Sequence, residues 1–274
     1  MTITALSIAG VDPSGGAGIF ADVKTFSALG AYGMGIVTAL TAQSTQGVTG
    51  FVATDPAFVK QQWTTLADDI LPDAIKIGML ANAEVAQALG EVVDDYRDRG
   101  GQHVVLDPVM VATSGDRLLD ADAEAAVLSL VPKASLITPN LPEAAVLLGI
   151  DEARSDDEMP AQARALLDLG AERVLLKAGH LAGPESVDVY GDETGLVRLS
   201  AHRVSTSNTH GTGCTLSSAI AALRPRRDGW VTAVTDAKAW LTHALEHADE
   251  LAVGQGHGPV HHFWDIWDDD QEGR

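Results

Sequence analysis

Apolar positions along the chain recur with two periods, and the period switches again and again. Ile3, Leu6 and Ile8 mark a strand over Thr2 to Ala9, and the run Gly10 to Gly18 then reads as a loop. Ile19, Phe20, Val23, Phe26 and Leu29 return to helical spacing, with Gly30 suited to the helix end. Met34 to Thr41 is a second strand leading to Gln43, and Gly47 to Ala53 is a short extended piece. Asp55-Pro56 starts a helix to about Ile70, the acid as cap and the proline at the first helical position. Ala74 to Leu80 is a strand ending in Gly78-Met79, and Asn82 caps a helix stopped by Gly100-Gly101. His103 to Leu106 is a strand ending at Asp107-Pro108, followed by a loop with Ser114-Gly115-Asp116 and a helix from Asp122 to Val131. Ala134 to Thr138 is a strand ending at Pro139-Asn140, and Pro142 opens a helix with Glu143 in its first turn. Asp157 to Leu169 is helical, and Arg173 to Leu176 is a strand ending at Lys177. Ser186 to Tyr190 and Leu196 to Val204 form a hairpin, and a long helix runs from Trp230 to Leu251 before an irregular tail.

Strands alternating with helices predict an α/β fold, a mainly parallel sheet with helices on both faces. No linker, repeat or low-complexity tract divides the chain, so one domain over 1–274 is expected, with a frayed acidic tail from about 265 to 274. The 274 residues are 46% hydrophobic, ample for a full core. No run is long enough to span a bilayer, no basic and apolar leader opens the chain, and the single cysteine excludes an internal disulfide. A cytoplasmic protein is expected. Acidic residues number 38 against 18 basic ones, a formal charge of −20 that repels nucleic acid and anionic lipid. Any phosphate site must therefore be locally positive.

That requirement draws attention to Asn208-Thr209-His210-Gly211-Thr212-Gly213-Cys214-Thr215, which holds the only cysteine. Leu216, Ile220 and Leu223 place Cys214 on the first turn of a helix. Unpartnered N–H groups and the positive dipole there bind an anion and lower a cysteine pKa. A small apolar residue at a helix start explains Cys214 equally well on its own. The opening loop fails two familiar tests. Gly10 to Gly15 has P-loop spacing, but Gly16 and Ala17 replace the Lys and Ser/Thr. Gly16 to Ala21 fits a relaxed dinucleotide pattern, but Met34 to Thr45 lacks the acid that would hold the ribose. Ligands of open α/β sheets bind beyond the carboxyl ends of the strands, where Asp107, Asn140 and Lys177 stand, with Glu143 one turn on. Asp107 and Glu143 suit Mg²⁺, Asn140 suits Mg²⁺ or phosphate, and Lys177 suits phosphate. Each is also an ordinary turn or cap residue, and their convergence on one edge favours function. His257, His261 and His262 lack the spacing of a metal site, and a Cys214–His210 thiol pair lacks an orienting third group.

The same residues carry a resemblance. Ile8 to Ile19, Ala21 to Gly33, Thr38 to Gln43, Lys76 to Leu80 and Leu106 to Met110 stand in the order and spacing of a known family. Thr138 to Ala144, Lys177 to His180, Asn208 to Cys214 and Gly256 to Phe263 continue the match essentially end to end. The chain resembles the hydroxymethylpyrimidine/phosphomethylpyrimidine kinases of thiamine biosynthesis, in the ribokinase-like superfamily. The resemblance implies a three-layer α/β/α fold and a kinase that uses ATP and Mg²⁺. Its substrates would be 4-amino-5-hydroxymethyl-2-methylpyrimidine and then the monophosphate. It implies that Cys214 stands where the wider superfamily has a catalytic Asp, beside Gly211, Thr212 and Gly213. Gln43 would bind the pyrimidine, its amide matching an amino group and a ring nitrogen. Gly10, Asp22, Met79 and Val109 would line that pocket. Asp107 and Glu143 would face Mg²⁺, and Lys177, Asn140, Thr209 and Lys238 the nucleotide. A homodimer is implied as well. Ser207 and Ala178 depart from the common pattern. The lack of a second cysteine argues against efficient pyridoxal phosphorylation, although a vitamin B6 kinase is the nearest alternative. A dinucleotide oxidoreductase and a non-enzymatic pyrimidine sensor are more distant ones.

Overall fold

A computed structural model describes residues 2–110, 121–179, 181 and 183–267. The loop with Ser114-Gly115-Asp116, the motif residue His180 and the acidic run Asp268-Asp269-Asp270 lie outside the described residues. Among the described residues the strands are β1 (Thr4–Val11), β2 (Tyr32–Ser44), β3 (Gly47–Ala53), β4 (Ala74–Ile77), β5 (His103–Leu106), β6 (Leu136–Ile137), β7 (Val174–Lys177), β8 (Glu185–Asp192) and β9 (Gly195–His202). They form one sheet in the order β3-β2-β1-β4-β5-β6-β7-β8-β9. The pairs from β2 through β7 are parallel, while β3 and the β8–β9 hairpin add antiparallel strands at the two edges.

Strand alternation divides the core. Leu6, Ile8, Ile75, Ile77, Leu106, Ile137, Val174 and Leu176 face one side. There they pack on α2 (Pro56–Ala67), α3 (Ala83–Asp98), α4 (Ala121–Leu130), α5 (Leu141–Leu148) and α6 (Met159–Asp168). Their neighbours Ala5, Val105, Leu136 and Leu175 face α1 (Gly18–Ala28), α7 (Thr212–Leu223) and α8 (Trp230–Glu246) on the other. A strand buried on both faces reads as a continuous apolar run, as these do. The three layers expected from the resemblance are therefore present.

The helix starts follow the expected chemistry. The Asp55 side chain accepts from the N–H groups of Ala57 and Phe58, and Asn82 accepts from Val85. The long helix ends earlier than Leu251. The Ala244 carbonyl, which Ala248 would take in a continuing helix, accepts instead from the N–H of His261 in the returning tail. A short 3₁₀ turn, Ala248–Glu250, follows. No helix among the described residues is long and apolar enough to cross a membrane.

Candidate active site

The carboxyl ends of the parallel strands open into a cleft of about 500 Å³. Strand order fixes its sequence of walls: Gln43 from β2, Gly10 from β1, Met79 after β4, Asp107 and Val109 after β5, Asn140 after β6, and Lys177 at the end of β7. Asp188 of β8 and His202 of β9 continue it, and Lys238, Leu241 and Leu245 of α8 close that side.

The start of α7 enters beside the middle of this row. Gly211 is its N-cap with φ +76°, so Thr212, Gly213 and Cys214 form the first turn. A side chain at 211 has no room, because a Cβ would lie 1.8 Å from the Gly16 carbonyl oxygen. A Cβ on Gly16 would strike His210, and one on Gly18 would lie 2.3 Å from the Gly10 oxygen. The opening glycines thus let two loops interlock; they are not a nucleotide fingerprint. Helical geometry leaves the N–H groups of Gly213 and Cys214 without carbonyls four residues back, and both residues line the cleft, an arrangement suited to an anion. Thr212 ties the turn down, its N–H and hydroxyl both donating to the Thr209 oxygen at 3.2 and 2.7 Å.

Cys214 keeps part of its surface open to the cleft. Its thiol corrects the expectation of a lowered pKa. Burial raises it, the Lys76 ammonium and the Gly18 N–H oppose that, and the balance lies at about 11. Desolvation of the sulfur outweighs the helix start.

Beside the thiol lies a charged set. Lys177 Nζ donates to Asp107 Oδ1 at 2.9 Å, and the same carboxylate accepts from the hydroxyls of Thr138 and Ser217. Burial opposes the Asp107 charge, but Lys177 and Lys76 outweigh it and hold the carboxyl below its ordinary value. Lys177 is raised in turn, because Asp107 and Glu143 outweigh its burial. Glu143 is pushed up to about 7 by burial, with Asp107 adding to the effect and Lys177 opposing it. Asn140 acts first as a structural cap. Its Oδ1 accepts from the Glu143 N–H, and Glu143 Oε2 accepts from the Asn140 N–H, both at 2.8 Å. It reaches the cleft from that position and is bridged to Lys177. A Cβ on Gly213 would lie 3.3 Å from Lys177 Nζ and 3.6 Å from Asp107 Oδ2, so the anion site and the charged set share one small space.

Gln43, Gly10, Met79, Val109, Thr209 and Lys238 all line the cleft as expected. Lys238 Nζ donates to Asp188 Oδ2 at 2.6 Å. Asp22 is a correction. It does not line the cleft: it is fully buried on the inner face of α1, and its carboxylate accepts from Lys76 at 2.8 and 2.9 Å and from the hydroxyls of Ser7 and Ser218. It fixes α1 and α7 to the sheet beneath Cys214. Three further groups went unread in the sequence. Lys76 stands alone between Ile75 and Ile77, and a lysine in an apolar strand demands a buried acid. Asp188 is the same signal in β8, between Val187 and Val189. Asp12 and His210, 2.7 Å apart, are joined only by the fold. Of the tail histidines, His261 and His262 are buried, with His262 Nε2 3.1 Å from the Thr215 hydroxyl, while His257 is exposed; no group of three metal-ligating side chains occurs among the described residues.

Residues 12–261 match the family model described as phosphomethylpyrimidine kinase. A hydroxymethylpyrimidine/phosphomethylpyrimidine kinase of Salmonella typhimurium is 54% identical over 97% of this chain and 99% of its own length. The solved phosphomethylpyrimidine kinase of Clostridium difficile superposes with a TM-score of 0.78 at 38% identity, covering 89% of this chain and 100% of that one. The pyridoxal kinase of Staphylococcus aureus, solved with AMP-PCP and pyridoxal, gives 0.87 at 33% identity over 97% and 95%. The fold is thus common to both kinds of vitamin kinase, while the family model over residues 12–261 and the 54% identity decide between them: the chain belongs to the phosphomethylpyrimidine kinase family.

Proposed function

We propose that this kinase transfers the γ-phosphoryl group of ATP to the hydroxymethyl oxygen of 4-amino-5-hydroxymethyl-2-methylpyrimidine, and then a second one to the monophosphate, as a step of thiamine biosynthesis. The observation that carries the reading is the continuity of the cleft, with Gln43 on one side of the α7 start and Lys177 and Lys238 on the other. A flat heteroaromatic ring fits between Met79 and Val109 with its edge on the Gln43 amide. The nucleotide then lies along β7–β9 and α8, with Thr209 near its phosphates. Its γ-phosphate meets the Gly213 and Cys214 N–H groups, where charge develops as the bond to the leaving phosphate breaks.

Asp107 and Glu143 offer only carboxylate oxygens, and both lie beside the anion site, a donor set suited to Mg²⁺ held partly through water. Bound there, Mg²⁺ would neutralise charge on the transferring phosphate. Lys177 does the same from the protein side. Cys214 takes the hydroxyl proton as the oxygen bonds to phosphorus. With a pKa of about 11, only about 10⁻⁴ of the thiol is ionised at pH 7, so the thiolate forms within the reacting complex.

The working protein is read as a single domain in the cytoplasm and as a homodimer. The dimer reading rests on the resemblance, and Leu40 and Val52, cross-strand partners on β2 and β3 that are 58% and 70% exposed, offer a face for it.

ADP release with each candidate substrate tests the reading, with products resolved by mass. The pyrimidine should yield mono- and then diphosphate, with pyridoxal much slower. Faster turnover of pyridoxal would make this a vitamin B6 kinase. Ligand binding without ADP formation would make it a sensor.

A further inference from the structure

Asp12 and His210 are both buried, both line the cleft, and neither has a role in the chemistry above. The Asp12 carboxylate accepts from the Ser14 N–H and hydroxyl at 2.8 Å and from the Ala17 N–H at 3.0 Å. Burial opposes its charge, but the contacts from His210 and Ser14 outweigh it and hold the carboxyl below its ordinary value. It is therefore an acceptor only. His210 Nε2, 2.7 Å from Asp12 Oδ2, must carry a hydrogen whether the ring holds one proton or two.

That hydrogen constrains Gln43. In the structure the Gln43 Nε2 lies 3.5 Å from His210 Nε2, and Oε1 lies 3.2 Å from the Thr41 hydroxyl. The first contact sets one N–H donor against another. The second asks for the single Thr41 proton, which already serves the Val11 carbonyl at 2.9 Å. Exchanging the two ends of the amide, which occupy nearly the same space, removes the clash of donors and frees the Thr41 proton for Val11. Oε1 then lies against the positive N–H edge of His210 as a weak second acceptor of the hydrogen that Asp12 takes at 2.7 Å, and Nε2 donates one hydrogen to Thr41.

We propose that Asp12 and His210 are positioning residues that hold the Gln43 amide with its oxygen on the His210 side and its nitrogen on the Thr41 side. The pair thereby selects an aromatic ring that presents a donor and an acceptor in that order. The amide keeps one N–H and one oxygen lone pair for the cleft. A ring nitrogen flanked by an exocyclic amino group satisfies both. A ring offering only one of them, or the two in reverse order, covers the half-buried amide and leaves one of its groups unpaired. The proposal rests on the kinase reading and names which edge of the substrate it recognises.

The test compares His210→Gln, His210→Asn and His210→Phe with the wild type in steady-state kinetics on hydroxymethylpyrimidine. The Gln side chain places an N–H near the original Nε2, while Asn reaches only to the Nδ1 position. The expected result is a KM for the pyrimidine raised about tenfold in the Asn and Phe variants, the loss of about one hydrogen bond. His210→Gln should restore it, with the KM for ATP unchanged throughout. Thr41→Val against Thr41→Ser gives the same readout from the other end of the amide, and thermal melting checks that each variant is folded. Wild-type turnover together with an unchanged pyrimidine KM in folded His210→Asn and Thr41→Val overturns this proposal alone. So does a rise in both KM values that His210→Gln does not reverse. A wild type that turns over no aminopyrimidine overturns the kinase reading and this proposal with it.

Discussion

Cys214 sits where two effects oppose each other. The positive end of α7 favours a thiolate, and the packing around the sulfur favours the thiol. A thiol held at about 11 is scarcely ionised at neutral pH, so kcat should climb with pH from neutrality into the alkaline range. A pH series with the nucleotide saturating checks this, and a flat profile would remove Cys214 as the base. Glu143 makes the opposite kind of statement about stability. Its pKa is raised from 4.5 to about 7, so the folded chain binds its proton more tightly than the unfolded one. That contribution is fully present below 4.5 and is lost as pH rises through about 7. Glu143→Gln should therefore melt higher than the wild type at pH 8, with the gap closing near pH 4, in the absence of Mg²⁺. Asp22 sets the limit of residue-level reading. Motif matching placed it in the substrate pocket, yet motif position carries no information on which way α1 turns its polar residue. Asp22→Ala leaves the Lys76 ammonium buried and unpaired, and should cost about 3–5 kcal/mol in urea unfolding. An equal loss of substrate affinity with no loss of stability would restore the pocket role.

Elements were legible where local chemistry decides them. Asp55-Pro56, Asn82 and Asn140-Leu141-Pro142-Glu143 announce helix starts through their own side chains, and those helices begin where the caps stand. Helix ends set by tertiary contacts were not legible. The last turn beyond Glu246 is lost because a tail residue, His261, takes a carbonyl from α8. The interlocked loops Gly10–Gly18 and Asn208–Gly211 belong to the same class, since their glycines answer to each other across the fold. Two alanine substitutions separate structure from chemistry at the α7 start. Gly211→Ala meets backbone at 1.8 Å with a positive φ, and should lose folded protein as read by circular dichroism. Gly213→Ala meets only Lys177 Nζ and Asp107 Oδ2, inside the anion site. It should keep its melting temperature and lose roughly 10²-fold in kcat.

On the scale of the whole molecule, the sheet order brings one residue from each strand end to a single edge, and this is what turns scattered motifs into a cleft. Strand alternation implied a parallel sheet with two covered faces, but gave no strand order, so Asp188, the partner of Lys238 in the cleft wall, is placed only by the pairing of the hairpin with β7. The formal charge of −20 opposes the approach of an anionic nucleotide. Raising ionic strength from about 0.01 to 0.15 M shortens the screening length from about 30 to 8 Å, so kcat/KM for Mg-ATP should rise over that range. A fall would mean that the cleft's own field attracts the nucleotide. Val52→Asp places a charge on the exposed β2–β3 face and should yield monomers in light scattering if that face joins two copies. The most direct test is the turnover of Cys214→Ala on hydroxymethylpyrimidine with Mg-ATP, measured beside nucleotide binding by calorimetry. A fall in kcat of about 10²–10⁴ with ATP affinity retained is the predicted result. Wild-type turnover in that variant would contradict it.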